Sequence, residues 1–173
     1  MTHDRYSDAH IRAILDEVKT VAMVGASPNA ARPSYLVLKY MLAKGYRVFP
    51  INPGHAGKEI LGQRVHAALH EVPEPIDMVD IFRNSAAALS VTREALTLDP
   101  LPKVIWMQLT VRNDEAAQLA EEKGLRVIMN RCPKIEYGRL SGEIGWTGVN
   151  SRTLSSKRPA LKAGFQHRGL RKE

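Results

Sequence analysis

Val21-Ala22-Met23-Val24-Gly25-Ala26-Ser27-Pro28 is an apolar run that stops at a single glycine and passes into small residues. Val21 to Val24 are small and mostly β-branched or flexible, as suits a strand covered on both faces. Gly25 permits a sharp turn and a close backbone approach that a larger residue would block. Downstream, Pro33 suits the first turn of a helix, and Tyr35, Leu36, Leu38, Met41 and Leu42 recur at helical spacing. A helix entered from such a turn offers free N–H groups and a positive dipole end to an anion. The stretch therefore reads as a buried first strand delivering a phosphate-binding loop, or more simply as a strand-to-helix turn of an α/β domain.

Working outward, Gly45 closes the helix and Tyr46 to Ile51 form a second strand, giving a β-α-β unit. Upstream, Ser7 or Asp8 can cap a first helix, with Ile11, Ile14, Leu15 and Val18 on one face. Beyond the unit come a loop from Asn52 to Gly57, two short extended pieces around Gly62, and a brief helix from His66 to Val72. Ile76 to Phe82 reads as a strand, and Ser85 can cap a helix carrying Leu89, Val91, Ala95, Leu96 and Leu98. Val104 to Met107 is the next strand, a helix begins at Asn113 or Asp114, and Leu125 to Met129 start the last clear strand. Alternating strands and helices at short spacing predict a Rossmann-like, doubly wound α/β fold. The expected sheet is mainly parallel, with about five strands and helices on both faces.

The 173 residues are enough for one domain with a full core. We expect a domain over 1–140 and an irregular tail over 141–173, anchored near Trp146. The net charge of +7 is unevenly placed. From Arg152 to Glu173 there are seven basic residues and one acidic, leaving 18 basic and 17 acidic elsewhere. The domain is nearly neutral and the basicity belongs to the tail. Few aromatic residues accompany those cations, so a nucleic-acid partner is not expected, although the tail offers a surface for docking a protein. No apolar run approaches a membrane span, and the N-terminal residues lack the apolar core of a signal peptide. With Cys132 as the one cysteine, a reducing cytoplasmic setting is the expectation.

In a doubly wound sheet, ligands bind beyond the carboxyl ends of the strands, where the strand order reverses. A dinucleotide fingerprint needs G-x-G-x-x-G, and here Gly25 is followed by Ala26 and Ser27. An NAD site also wants an acid at the end of its second strand. Ile51-Asn52-Pro53 supplies none. A ligand with a phosphate on its ribose would instead favour the neutral and basic groups nearby, His55 and Lys58. Coenzyme A carries such a 3′-phosphate and a pyrophosphate, and Arg83 at the mouth of its strand offers charge-assisted bonds or else a surface ion pair.

The run V-G-A-S-P at 24–28 is followed by R-P-S-Y at 32–35, G-Y-R-V-F-P-I-N-P at 45–53 and E-I-L-G at 59–62. Then come D-M-V-D-I-F-R at 77–83, V-I-W-M-Q at 104–108 and N-R-C-P-K-I-E-Y at 130–137. Together they resemble the CoA-binding domain family of small stand-alone bacterial proteins, over roughly Val21 to Leu140. The same domain is similar to the N-terminal half of the succinyl-CoA synthetase α subunit. The resemblance implies a Rossmann-like module that binds coenzyme A or acyl-CoA, without chemistry of its own. It implies that Gly25, Ala26 and Ser27 approach the pyrophosphate through backbone and hydroxyl. Asn52 and Pro53 would border the adenosine, with His55 or Lys58 near the 3′-phosphate. Phe82 and Arg83 would line the pantetheine path, and Gln108 the thiol end. The phosphorylated histidine of the synthetase belongs to a second domain that this sequence does not continue into, so ligase activity is not expected.

Rival chemistry centres on Cys132, between Arg131 and Lys134. Nearby cations lower a thiol's pKa, so Cys132 is the candidate for a redox enzyme or a CoA-dependent transferase; otherwise it is a packed cysteine at a strand end. His66 and His70, four apart on the expected helix, lack the zincin glutamate and a third ligand, so no metal is expected. Asp77 and Asp80 fall on opposite faces of a strand and are poorly placed as an acid and base pair. One of them serves either the pocket or loop amides.

Overall fold

The computed structural model describes residues 3–143. Helix α1 (Asp8–Glu17) leads into strand β1 (Thr20–Val24), and helix α2 (Pro33–Ala43) into β2 (Arg47–Ile51). The short strands β3 (Glu59–Ile60) and β4 (Gln63–Arg64) come next, then β5 (Met78–Ile81) and α3 (Ser85–Ala95). Strand β6 (Val104–Met107), helix α4 (Asp114–Glu122), strand β7 (Arg126–Ile128) and helix α5 (Pro133–Ser141) complete the described chain.

Five strands form one sheet in the order β2-β1-β5-β6-β7, and every neighbouring pair is parallel. The chain runs outward from β1 to β2, then returns to the other side of β1 for β5. The order therefore reverses between β1 and β5, the place a doubly wound sheet reserves for ligands. Alternation along each strand sends Val21, Met23, Met78, Val104, Trp106 and Ile128 to one layer, where α1, α2 and α5 cover them. Ala22, Val79, Ile81, Ile105, Met107 and Val127 face the other layer, under α3 and α4. Trp106 is fully buried, and its indole N–H donates to the Arg131 carbonyl at 2.8 Å, so the ring is core.

Local chemistry explains the boundaries. Ser7 caps α1 by accepting from the His10 N–H, and Asn84 and Asn113 cap α3 and α4 in the same way. The α3 cap is thus Asn84, one residue before the serine expected from sequence. Leu61 and Gly62, both at positive φ, turn β3 into β4. Just beyond, His66 pairs with the edge of β2, donating to the Pro50 carbonyl and accepting from the Asn52 N–H.

Two sequence expectations are corrected and one element is added. The helix expected over His66 to Val72 is an extended residue followed by a single 3-10 turn, Leu69–Glu71, because His66 is held in the bridge to β2. The buried face of α2 is Ser34, Val37, Leu38 and Met41, while Leu36 is 46% exposed. Helix α5 was not expected at all. Pro133 at its first position and Gly142, in the left-handed region just past its end, mark it. Glu143 then accepts from the Tyr40 hydroxyl at 2.7 Å and pairs with Lys44, tying the end of α5 to α2. Trp146 and the basic stretch from Arg152 lie outside the described residues.

Candidate functional site

The strand-end segments anticipated from sequence come together along the carboxyl edge of the sheet. Gly25 has φ +90°, open to glycine and strained for other residues. A Cβ there would lie 3.0 Å from the Phe82 carbonyl oxygen and 3.0 Å from Arg83 Cδ. The glycine thus lets the end of β1 meet the end of β5, with the Arg83 stem across it. On the other side, Asn52 Nδ2 donates to the Ala26 carbonyl at 2.7 Å, and Asn52 Oδ1 accepts from the Gly54 N–H at 3.0 Å. Asn52 is a brace between two loops.

The Gly25 and Ala26 N–H groups both donate to the Ile51 carbonyl, at 2.9 and 3.4 Å, and the Ala26 methyl is buried. These two amides hold the loop against β2. Ser27 Oγ accepts from the Asn29 N–H, which leaves its hydroxyl proton to donate. Helices α2 and α5 both begin with proline at the first position and no side-chain cap, so their positive ends are not neutralised by a capping oxygen.

Pro53 and His55 occupy a 3-10 turn, Pro53–His55, after β2. His55 Nδ1 is buried with no hydrogen-bond partner. Lys58 follows, exposed. Arg32, Lys58 and Arg83 are all exposed, and none is ion-paired to another described residue. Three cations are therefore available along one edge.

Beyond Phe82 and Arg83 the edge opens into a cleft of about 580 Å³. Its walls include Phe82, Leu36 and Val37, Leu109, and Ile135, with Gln108 and Cys132 deeper. Leu36 and Leu109, 46% and 47% exposed, are two of the three large hydrophobic residues that reach solvent among the described residues. An apolar lip of this kind suits a slender, partly apolar ligand. Thr110 on the rim has φ +69°, a costly conformation for a β-branched residue; its N–H donates to Asn130 Oδ1 at 2.8 Å.

Beneath the cleft lies Asp80, wholly buried between Met23 and Trp106 in the sheet. Gln108 Nε2 donates to both of its carboxylate oxygens, at 2.9 and 3.1 Å. Burial pushes the Asp80 carboxyl up to about 7, against the lowering effect of Gln108. Asp77, at the opposite end of β5, accepts from the Lys19 and Thr20 N–H groups and pairs with Lys103. The two aspartates have separate duties, the loop amides falling to Asp77.

Cys132 borders the cleft but is 7% exposed, and burial pushes its thiol up to about 11. The flanking cations expected to create a thiolate do not prevail: Arg131 turns its guanidinium over the Tyr6 ring, and the charge of Lys134 lowers the thiol less than the Ile135 and Lys134 backbone amides do, all of them outweighed by burial. His66 and His70 do not share a helix face, and no group of three metal-ligating side chains gathers among the described residues. No helix among them is long and apolar enough to cross a membrane.

Leu36 and Ile135 were not singled out from sequence as site residues, Leu109 and Thr110 were reached only as the residues after a strand, and Asp80 was left between two roles. The strand-end rule reaches Leu109 and Thr110, which directly follow Gln108. Leu36 carried a misleading signal, since it fits the apolar period of its helix.

A parallel sheet with helices on both faces, and a glycine turn and cleft at its reversal point, define a Rossmann-like α/β fold. The chain belongs to the CoA binding domain family, whose sequence pattern matches residues 19–138. It is similar to the protein YneT of Bacillus subtilis (strain 168), which is uncharacterised, at 39% identity over 131 residues, covering 76% of this chain and 94% of YneT. A solved hypothetical protein from Pyrococcus horikoshii OT3 superposes with a TM-score of 0.75 at 36% identity, covering 82% of this chain and all of that one (100%). A dinucleotide-forming acetyl-coenzyme A synthetase of Ca. Korarchaeum cryptofilum shares the fold at 23% identity and a TM-score of 0.54. There 63% of this chain matches 25% of the synthetase.

Proposed function

We propose that this protein is a non-catalytic module of the reducing cytoplasm that binds coenzyme A or an acyl-CoA, with its binding domain over residues 1–140. The observation that carries the reading is the unbroken succession along the sheet edge: the turn with His55 and Lys58, Asn52 bracing Ala26, Gly25 under Arg83, then the apolar cleft ending at Gln108. That order matches the order of chemistry along the coenzyme, from phosphorylated ribose through pyrophosphate to the thiol arm. In this reading His55 or Lys58 meets the 3′-phosphate, Ser27 and Arg83 the pyrophosphate, and Phe82, Leu36 and Leu109 the pantetheine. Asn52, Pro53 and Ala26 shape the turn. A thiol-redox or transferase role for Cys132 has less support, because its thiol stays protonated near neutral pH. Docking of a protein through the basic tail remains a separate proposal, tested by deleting residues 152–173 and measuring partner capture.

Isothermal titration against coenzyme A and dephospho-coenzyme A tests the reading. Coenzyme A should bind about tenfold more tightly than the dephospho form, and Arg83→Ala should weaken both by a similar factor. Replacing His55 or Lys58 with alanine should erase the preference for the 3′-phosphate. Absence of heat with either ligand at millimolar concentration would overturn the assignment.

A further inference from the structure

Asp80 is placed where a carboxylate is costly. Strand β5 turns Met78 and Asp80 into the layer under α2 and α5, among Met23 of β1 and Trp106 of β6. A buried structural carboxylate normally gathers several donors; even the partly exposed Asp77 at the other end of β5 has two backbone amides and a lysine. Among the described residues, Asp80 has hydrogen bonds from the Gln108 amide alone.

Gln108 is itself 5% exposed and borders the cleft. An ionised carboxylate only accepts, so it draws the amide NH2 inward and leaves the Gln108 carbonyl as the group available to the cleft. A protonated carboxyl needs an acceptor for its O–H. The same amide satisfies it by turning over, with its carbonyl toward Asp80 and its NH2 toward the cleft.

We propose that Asp80 and Gln108 form a two-position selector at the end of the cleft, choosing between a ligand thiol and a ligand thioester. With Asp80 ionised, the Gln108 carbonyl accepts from a thiol S–H; with Asp80 protonated, the Gln108 NH2 donates to a thioester carbonyl. Asp80 is a positioning residue acting through Gln108, and no covalent step is involved. The inference rests on the coenzyme reading above, with the thiol end at Gln108.

Burial brings the Asp80 midpoint to about 7, so both positions are populated near neutrality. The surroundings leave that titration to Asp80. The neighbouring residues of β1 and β6, Met23 and Trp106, carry no charge. Buried residues of α2 on this side are Ser34, Val37, Leu38 and Met41. Arg83, beyond the end of β5, is exposed at the cleft mouth. At α5, Cys132 is held as the thiol, Lys134 borders the cleft, and Glu136 is engaged by Arg139 at 2.7 Å.

The test is the ratio of affinities for coenzyme A and acetyl-CoA, measured by titration calorimetry on the full chain at about pH 6 and about pH 8. Both ligands carry the same 3′-phosphate and pyrophosphate, so their ionisation cancels in the ratio. We expect the ratio to move about threefold to tenfold toward acetyl-CoA at the lower pH, the worth of one exchanged hydrogen bond. Asp80→Asn should make the ratio independent of pH. Should that variant not fold, Gln108→Leu provides the same flat ratio, and the wild-type series decides by itself. If both ligands bind wild type with a ratio constant to within about twofold, the selector is overturned and the coenzyme reading stands. Binding of neither ligand overturns both.

Discussion

The two edges of the central sheet are built from the same strands and are chemically opposite. At the amino edge, polar groups are paired off. Asp77 takes the Lys19 and Thr20 amides and Lys103, Thr20 Oγ donates to the Pro75 carbonyl at 2.7 Å, and Glu17 meets both Lys103 and Arg126. At the carboxyl edge, Arg32, Lys58 and Arg83 lack ionic partners among the described residues, His55 Nδ1 is buried and unpaired, Thr110 is strained, and Leu36 and Leu109 face water. Several departures from local rules thus lie at the carboxyl edge, although Leu101 at the amino edge is also exposed and Thr92 Oγ1 on α3 is also buried and unpaired. The amino edge is the more fully paired of the two, and the carboxyl edge is where the proposed function would lie.

Gly25→Val tests this contrast most severely. A branched side chain at φ +90°, against the Phe82 carbonyl and the Arg83 stem, should cost about 3–5 kcal/mol in a urea melt and abolish coenzyme binding. Retained stability would mean that the β1 and β5 ends do not need their close approach.

The aspartates of β5 give the next effect, with opposite signs. Asp80 has a folded-state pKa above its ordinary 3.8, so its stabilising contribution is present at low pH and is lost as pH rises from about 4 to about 7. Asp80→Asn should therefore become more stable than wild type across that window, by about 2–3 kcal/mol at pH 8. In Asp77, burial works to raise the pKa, but the Lys19 amide, Lys103 and the Thr20 amide together bring it below 3.8. Its contribution is present above that value and fades as pH falls through the lowered one. Asp77→Ala should accordingly cost about 1–2 kcal/mol at neutral pH and leave coenzyme affinity unchanged. A pH series of thermal melts on both variants checks the two signs together.

Thr110→Gly is the mildest test. Relief of the left-handed threonine should stabilise the protein by about 0.5–1 kcal/mol, while loosening the rim and weakening ligand binding by about twofold. A variant that gains stability and binds equally well would make Thr110 an incidental strain.

The fold was legible because it is written in periods. Runs such as Val21 to Val24 and Val104 to Met107 read as buried strands, the spacing of Ile11, Ile14, Leu15 and Val18 read as a helix face, and the bridging lengths implied a parallel sheet. Helix α5 escaped because its apolar positions are few and Glu136, Gly138 and Ser141 are buried within it. Its proline and glycine punctuation was the readable sign. In the site, the segments that follow the strands were legible from sequence, whereas the strand order that sets them side by side was not. The direction of the Gly25 and Ala26 amides was not, since it depends on the Ile51 carbonyl of a different strand. The protonation of Asp80 and Cys132 was equally hidden: composition showed the cations near Cys132, and only the depth of burial shows why they do not prevail.

The bridge from His66 to β2 also bears on how these molecules behave in a crowd. An outer strand with open amides and carbonyls invites a second chain to add itself in register. Here Pro50 removes one donor from β2, and His66 occupies the Pro50 carbonyl and the Asn52 amide. The opposite border, β7, is three residues long and begins with Arg126, which is engaged by Glu17. Among the described residues, both borders of the sheet are thus poor templates for strand addition.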